Sequence, residues 1–258
     1  MSPERRALLR AKTRAFGIHA GISAVLFLVI VAVAVLAWLP PPYFWIDGGV
    51  FIVAVAAVVD LVLGPALTFY LYRPGRRQLA LIFTVIAFIQ SAALSWGVQV
   101  LYAGRPQVVV YAGYPRLEFF PIGEMLLRDG PRTIEQLRAL SPEQPPLVLA
   151  PLPKDKAEAR AMVVAASVVG SSVLRMTERF LPLEGEALEE VLAAGRTHAQ
   201  LEETWPGASA RVEAFAAARG VPATAFAFVP VYGRYSSALL AIDRANGRLA
   251  GHVYLFAR

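Results

Sequence analysis

The sequence predicts a membrane protein: a three-helix transmembrane bundle followed by an exported α+β domain built on an antiparallel sheet. Three observations predict it. The 258 residues are 57% hydrophobic and only 17% charged, and such a positive mean hydropathy exceeds what a soluble domain of this length needs. The long apolar windows all lie before Arg105, which separates a lipid-compatible part from a soluble one. After Arg105 the pattern changes to short β-rich runs, turn residues and amphipathic helices.

The first window, about Ile18 to Leu39, has roughly the 20 residues a helix needs to cross the hydrocarbon core. It closes on Trp38, Pro40-Pro41-Pro42 and Tyr43-Phe44-Trp45, a helix stop followed by an aromatic interfacial belt. The rival reading is a cleaved signal peptide, since Arg5, Arg6, Arg10, Lys12 and Arg14 precede the apolar run. The run is too long for an ordinary signal-peptide core. The second and third windows span about 50–72 and 79–102, joined by "RPGRRQ", and so short a link makes them an antiparallel helical hairpin.

Positive charge gives the direction. Five Lys or Arg lie in the tail 1–17, three in the Arg73-Arg76-Arg77 loop, and none between Pro40 and Gly49. The positive-inside rule puts the basic tail and second loop in the cytoplasm and the domain 105–258 on the opposite side, the periplasm of a Gram-negative inner membrane. The chain's pI of about 9.8 does not indicate nucleic acid. Residues 1–104 hold 8 Lys/Arg against 3 Asp/Glu and residues 105–258 hold 17 against 16, so the basic excess lies beside the bilayer, where topology and anionic headgroups account for it.

In the exported part, "PQVVVYAGYPRLEFFP" reads as a hairpin turning at Gly113-Tyr114-Pro115. "PRTIEQLRAL" has helical spacing, and "PPLVLAPLP" is a short strand between prolines. Ala161 to Leu174 is free of charge, but its 14 residues are too few for a fourth span, so it is expected to be a core helix. Helices follow around 185–194 and 208–219. The last stretch reads as strand, strand, turn, strand, with Ala245-Asn246-Gly247 as the hairpin turn.

Asp60 is the sharpest chemical feature, because an ionisable group at mid-span is costly unless it is paired, hydrated or neutral. Gly64 lies one turn on, on the same face, and Pro65 removes a backbone donor and loosens the helix. Two readings stay open: Asp60 bonds to Gln90 or Ser91 of the third span and holds the hairpin together, or it receives a polar group or cation from outside. His19 reads as an interfacial side chain. His19, His198 and His252 show no metal spacing, and the absence of cysteine removes thiolate chemistry. No phosphate-binding, dinucleotide-binding or nucleophile-elbow motif occurs. Ser171-Ser172 reads as a helix end, Glu184, Glu186, Glu189 and Glu190 as a solvated first helical turn, and Gly233-Arg234-Tyr235 as an exposed turn. No enzymatic activity, cofactor or metal is expected.

Several stretches together resemble one family: "FGIHAGIS" from Phe16, "DGG" from Asp47, "VVDLVLGPALT" from Val58, "RPGRR" from Arg73, Gln90, "WGV" from Trp96, Arg105-Pro106, and "PVYGRYSSALLAIDRANGRLAGHV" from Pro230. They resemble the TfpX/TfpZ type IV pilin accessory proteins of Gram-negative bacteria. The resemblance implies an inner-membrane, chaperone-like factor that helps a cognate type IV major pilin, itself held in the membrane by one apolar helix, to be assembled and displayed. It carries over no catalytic set. The candidates for helix–helix or pilin contact, Asp60, Gly64, Pro65 and Gln90, come from the chemistry of the spans and not from the resemblance; the partners expected are lipid and, by the resemblance, the cognate pilin, with no nucleic acid. The alternative is a small ion- or proton-coupled membrane component using Asp60.

Overall fold

The computed structural model describes residues 2–75, 77–112, 118–127, 130–153, 155–168, 174 and 176–255. They form two compact units. One comprises Met1–Pro40 with Gly48–Ala103, the other Pro41–Asp47 with Gly104–Arg258.

The first unit is helical. Its first helix, α1 (Pro3–Val33), begins at Ser2, whose hydroxyl accepts the Arg5 N–H at 3.4 Å, and Pro3 suits a first helical position. No breaker intervenes before Pro40, so the basic tail continues the same helix as the apolar run. The last turn widens over Ala34–Trp38, with the Leu39 N–H donating to the Ala34 carbonyl at 2.7 Å, before the prolines stop it. The four-residue α2 (Tyr43–Ile46) belongs to the second unit. The next span is one rod in three parts: α3 (Gly49–Ala57), a widened π-helical stretch Val58–Leu63, and α4 (Gly64–Leu71). The third is α5 (Leu79–Gly104). Among the described residues, these three helices, of 36, 23 and 26 residues, are long and apolar enough to cross a membrane.

Within this unit α1 packs along α4. Phe16 meets the Phe69 ring edge-on at 6.4 Å, and Lys12 caps the Tyr70 carbonyl at 3.0 Å while lying over the Phe69 ring. Tyr72 stacks on Phe83 at 6.1 Å, and Trp38 meets Tyr102 edge-on at 5.4 Å.

The second unit is a seven-stranded sheet in the order β4-β3-β1-β2-β5-β6-β7. Its strands are β1 (Pro106–Ala112), β2 (Glu118–Gly123), β3 (Leu147–Ala150), β4 (Leu181–Pro182), β5 (Phe226–Tyr232), β6 (Ser237–Asp243) and β7 (Leu249–Tyr254). The expected hairpins form: β1 with β2, and β5 with β6 with β7, all antiparallel. The turn expected at Gly113-Tyr114-Pro115 lies outside the described residues. The expectation of an antiparallel sheet is corrected, because β1 runs parallel to β3 and β2 runs parallel to β5 at Phe119 and Val231. Hairpin signals report only neighbours in the chain. How separate hairpins join is set by the helices that cross between them, and a crossover returns the chain in the same direction.

Both sheet faces are covered. On one face, α6 (Glu124–Leu127) and α7 (Ile134–Arg138) place Leu127 and Leu137 against Val108 and Val110. Where a core helix was expected over Ala161 to Leu174, a helix is present as α8 (Lys156–Val168), shifted towards the amino terminus, and its described positions are mostly exposed, with Ala159 buried and Val164 53% exposed; residues 169–173, Ser171-Ser172 included, lie outside the described residues. On the opposite face, α2 and α9 (Gly185–Ala193) pack against Val109, Tyr111, Val229 and Leu240. Two further helices, α10 (His198–Thr204) and α11 (Ala208–Ala217), cover Phe226, Phe228 and Leu239. Helix α10 was not expected. It is only 7 residues long and starts with a capping box, Thr197 with Gln200, a signal that "THAQ" carries in sequence.

Candidate functional site

Asp60 lies in the widened stretch that precedes Gly64-Pro65 and is buried, with 6% of its surface exposed. Pro65 has no N–H to offer the carbonyl four residues back, so the helix accommodates it with i→i+5 bonds, and such π turns recur where a helix presents a functional side chain. Gly64, Pro65 and Thr68 are buried on the following turns. A Cβ on Gly64 would overlap the Gln90 side-chain amide, so the third span's one central amide rests on the glycine of the second. Among the described residues the Asp60 carboxylate makes no hydrogen bond or ion pair, to Gln90 or Ser91 or elsewhere. His19 bonds across the bundle instead, with its Nδ1 2.6 Å from the hydroxyl of Thr68.

Two grooves meet at Asp60. The larger, about 860 Å³, runs from Arg10 and Arg14 past Ile18, Ile22 and Leu26 of α1, and is closed by Asp60, Thr68 and Tyr72 on one side and by Phe83, Ile86 and Gln90 on the other. The smaller, about 330 Å³, lies between α3 and α5. Ala56, Ala93 and Gly97 line it among larger apolar residues such as Phe51, Val55 and Trp96, and among the described residues Asp60 is its one titratable lining group.

In the second unit, Pro41–Asp47 is tied to the loop between β5 and β6. The Ile46 carbonyl accepts the N–H groups of Tyr235 and Ser236 at 3.0 and 3.2 Å, and Asp47 Oδ1 accepts that of Arg234 at 3.1 Å. The Arg234 guanidinium lies 3.5 Å from the same oxygen. Gly233 faces the Ile46 carbonyl, with room for no Cβ. Tyr43 and Ile46 are thereby buried in the sheet's core. Burial raises the Asp47 carboxyl above the usual carboxylate range, opposed by the Arg234 N–H and guanidinium. The "GRY" turn is therefore an anchor as well as a surface: Tyr235 is 68% exposed while its backbone is held. The sequence signal was a lone acid in an otherwise uncharged loop, but nothing local names its partner 187 residues away.

Among the described residues no group of three His, Asp or Glu could hold a metal. His198 reaches Glu213 at 3.3 Å on the surface and His252 packs on Tyr254. Glu184, Glu186, Glu189 and Glu190 lie at the solvent-facing side of α9 and its start.

No family model matches the chain, and no solved structure matches it. It is 31% identical over 137 residues to the fimbrial assembly protein of serogroup E1 of Dichelobacter nodosus and 30% identical over 137 residues to that of serogroup I. The matched region is 52% of this chain and 52% of each relative, so the chain spans about half the length of these two. It is also 30% identical over 131 residues to the fimbrial assembly protein of serogroups C1 and C2, covering 98% of that protein and 50% of this chain. A relative matched over nearly its whole length shows the family, and the chain belongs to the fimbrial assembly proteins.

Proposed function

We propose that the chain is a TfpX/TfpZ-type accessory factor of the bacterial inner membrane that helps a cognate type IV major pilin to be assembled and displayed, through chaperone-like contacts and without catalysis. Its amino terminus lies in the cytoplasm and the sheet-bearing unit in the periplasm, by the charge bias of the loops. The observation that carries the reading is the groove between α3 and α5: the small residues Ala56, Ala93 and Gly97 line it, and so does Asp60, a carboxylate with no hydrogen bond or ion pair among the described residues. Small residues let a second helix approach closely, and a polar group on it gains from meeting the carboxylate in lipid. A pilin helix docked there gives Asp60 the hydrogen-bond partner that the described residues do not supply. The names of the relatives support the pathway. A proton relay would have to run through the larger groove, where His19 lies near enough to act electrostatically on Asp60; the smaller groove offers Asp60 no second titratable group among the described residues.

The test is photo-crosslinking in the piliated host from Val55 or Trp96, in the groove, and from Leu28, exposed on α1. Pilin captured from the groove positions and not from Leu28, with display lost in Asp60→Asn at normal protein level, is the expected result. Normal display by Asp60→Asn, or equal capture from all three positions, overturns the reading.

A further inference from the structure

We infer that the larger groove holds a phospholipid with an anionic headgroup, its phosphate between Arg10 and Arg14 and an acyl chain along Ile18, Ile22 and Leu26. The inference rests on α1 spanning a bilayer, and it is independent of any pilin contact. A groove of about 860 Å³ on the flank of a membrane helix bundle does not stay empty. Whatever fills it must match apolar walls below and two cations above.

The geometry matches a lipid of the leaflet that meets the amino-terminal half of α1. Arg10, Arg14, Ile18, Ile22 and Leu26 recur every four residues and all line the groove, so they form one stripe with the charges at one end. From Arg14 to Leu26 the helix rises roughly 18 Å, a little more than the roughly 15 Å depth of one leaflet's hydrocarbon. Tyr72 lines the groove on the facing span, held by its stack on Phe83. Both guanidiniums are open to a phosphate: neither Arg10 nor Arg14 makes an ion pair or hydrogen bond among the described residues. Lys12, two residues from each, is already committed to the Tyr70 carbonyl and the Phe69 ring, so the two arginines are set apart from the general charge of the tail. The polar groups deeper in the groove do not oppose an acyl chain equally, since His19 is bonded to Thr68 and Gln90 rests on Gly64. Asp60 lines the groove from the facing span, near enough to His19 for the two to act on each other electrostatically.

The experiment uses the full chain in nanodiscs of mixed phosphatidylglycerol and phosphatidylcholine, released into detergent and weighed with bound lipid by native mass spectrometry. Phosphatidylglycerol is expected to be retained about thirtyfold over phosphatidylcholine, the order of effect two cations exert at a membrane surface. The preference should vanish in Arg10→Gln/Arg14→Gln and persist in Arg5→Gln/Arg6→Gln, which changes the same charge off the groove. Ile22→Trp, which narrows the groove along the acyl stripe and leaves both arginines, should lower retention of either lipid. Equal retention of the two lipids by the parent protein overturns the proposal. So does loss of preference in the Arg5→Gln/Arg6→Gln variant, or a groove occupied by a protein helix or second copy in crosslinks from Ile22. None of these readouts depends on fimbriae.

Discussion

Gly233→Ala should detach Pro41–Asp47 from the β5–β6 loop. A methyl there would overlap the Ile46 carbonyl oxygen and lie 2.6 Å from its carbon and 2.7 Å from Ile46 Cγ1. Backbone and a buried side chain block it, so no flexible group can swing aside, and the segment itself must move. That breaks the bonds from Tyr235 and Ser236 to Ile46 and from Arg234 to Asp47. At about 1 kcal/mol net for each of three hydrogen bonds, the loss is about 3 kcal/mol. Re-exposing Ile46, fully buried in the parent, would add roughly 1.5–3 kcal/mol. The hydrogen bonds alone correspond to a drop of roughly 6–12 °C in the melting of a unit of this size. The assay is thermal unfolding of the full chain in detergent, followed by near-ultraviolet dichroism, with hydrogen exchange of the peptide carrying Tyr235 and Ser236. A Gly233→Ala variant with unchanged melting and unchanged protection of those two amides would refute the claim that this segment is part of the second unit's core.

Asp47→Ala removes the acceptor of the Arg234 N–H and should cost about 1–2 kcal/mol, whereas Asp47→Asn keeps an acceptor and sheds a buried charge, so its melting should match or exceed the parent's near pH 7. Because the folded-state value of Asp47 is raised, its contribution is most favourable at acid pH and declines as pH rises from the ordinary carboxylate value through the raised one; the parent-minus-Asn difference in melting between pH 4 and 8 checks the sign, and a difference that grows more favourable to the parent with rising pH would contradict it. Gly64→Leu should drive α4 and α5 apart by displacing Gln90, and Gln90→Ala should restore much of the loss in the double variant; helix proximity read by a crosslink between cysteines placed at Thr68 and Ala87 distinguishes this from a local effect, since additive losses would mean the two sites do not meet.

The three apolar runs and the terminal hairpins were legible because each depends on local composition and period; the length of the first helix was not, since it continues back through the basic tail to Pro3. Ile18 to Leu39 could be read from length and apolarity alone, and Ala245-Asn246-Gly247 from turn chemistry, which the structure realises with Gly247 at φ 70° and Asp243 accepting from Ala245 at 2.8 Å. The parallel pairing of β1 with β3 was not legible, since it depends on which face each intervening helix covers. The Asp47 anchor was missed for the same reason: the acid is conspicuous, but its partner is chosen by the fold of a hairpin near the other end of the chain. Gln90 could be named from its rarity in an apolar run. That it rests on Gly64 and leaves Asp60 unbonded required the widened turn, which the Gly64-Pro65 pair foreshadows without specifying.

The widened turn also bears on what Asp60 can be for. A regular helix through Val58–Leu63 would advance about 100° per residue, and the extra residue in a π turn shifts every side chain before it relative to those after it. Ala56 and Asp60 line the groove against α5, and Asp60 and Thr68 line the one against α1, so the shift lets one residue face both. A carboxylate retained only to bind Gln90 would need neither the shift nor the second groove. A methylene-rich side chain at position 60 would remove the cost of burying charge in lipid, and it would give a more stable bundle if packing were the whole role. Asp60→Leu should therefore raise the resistance of the helical unit to denaturing detergent while abolishing the pilin display proposed above. A variant that is both less stable and inactive would assign Asp60 to holding the bundle together.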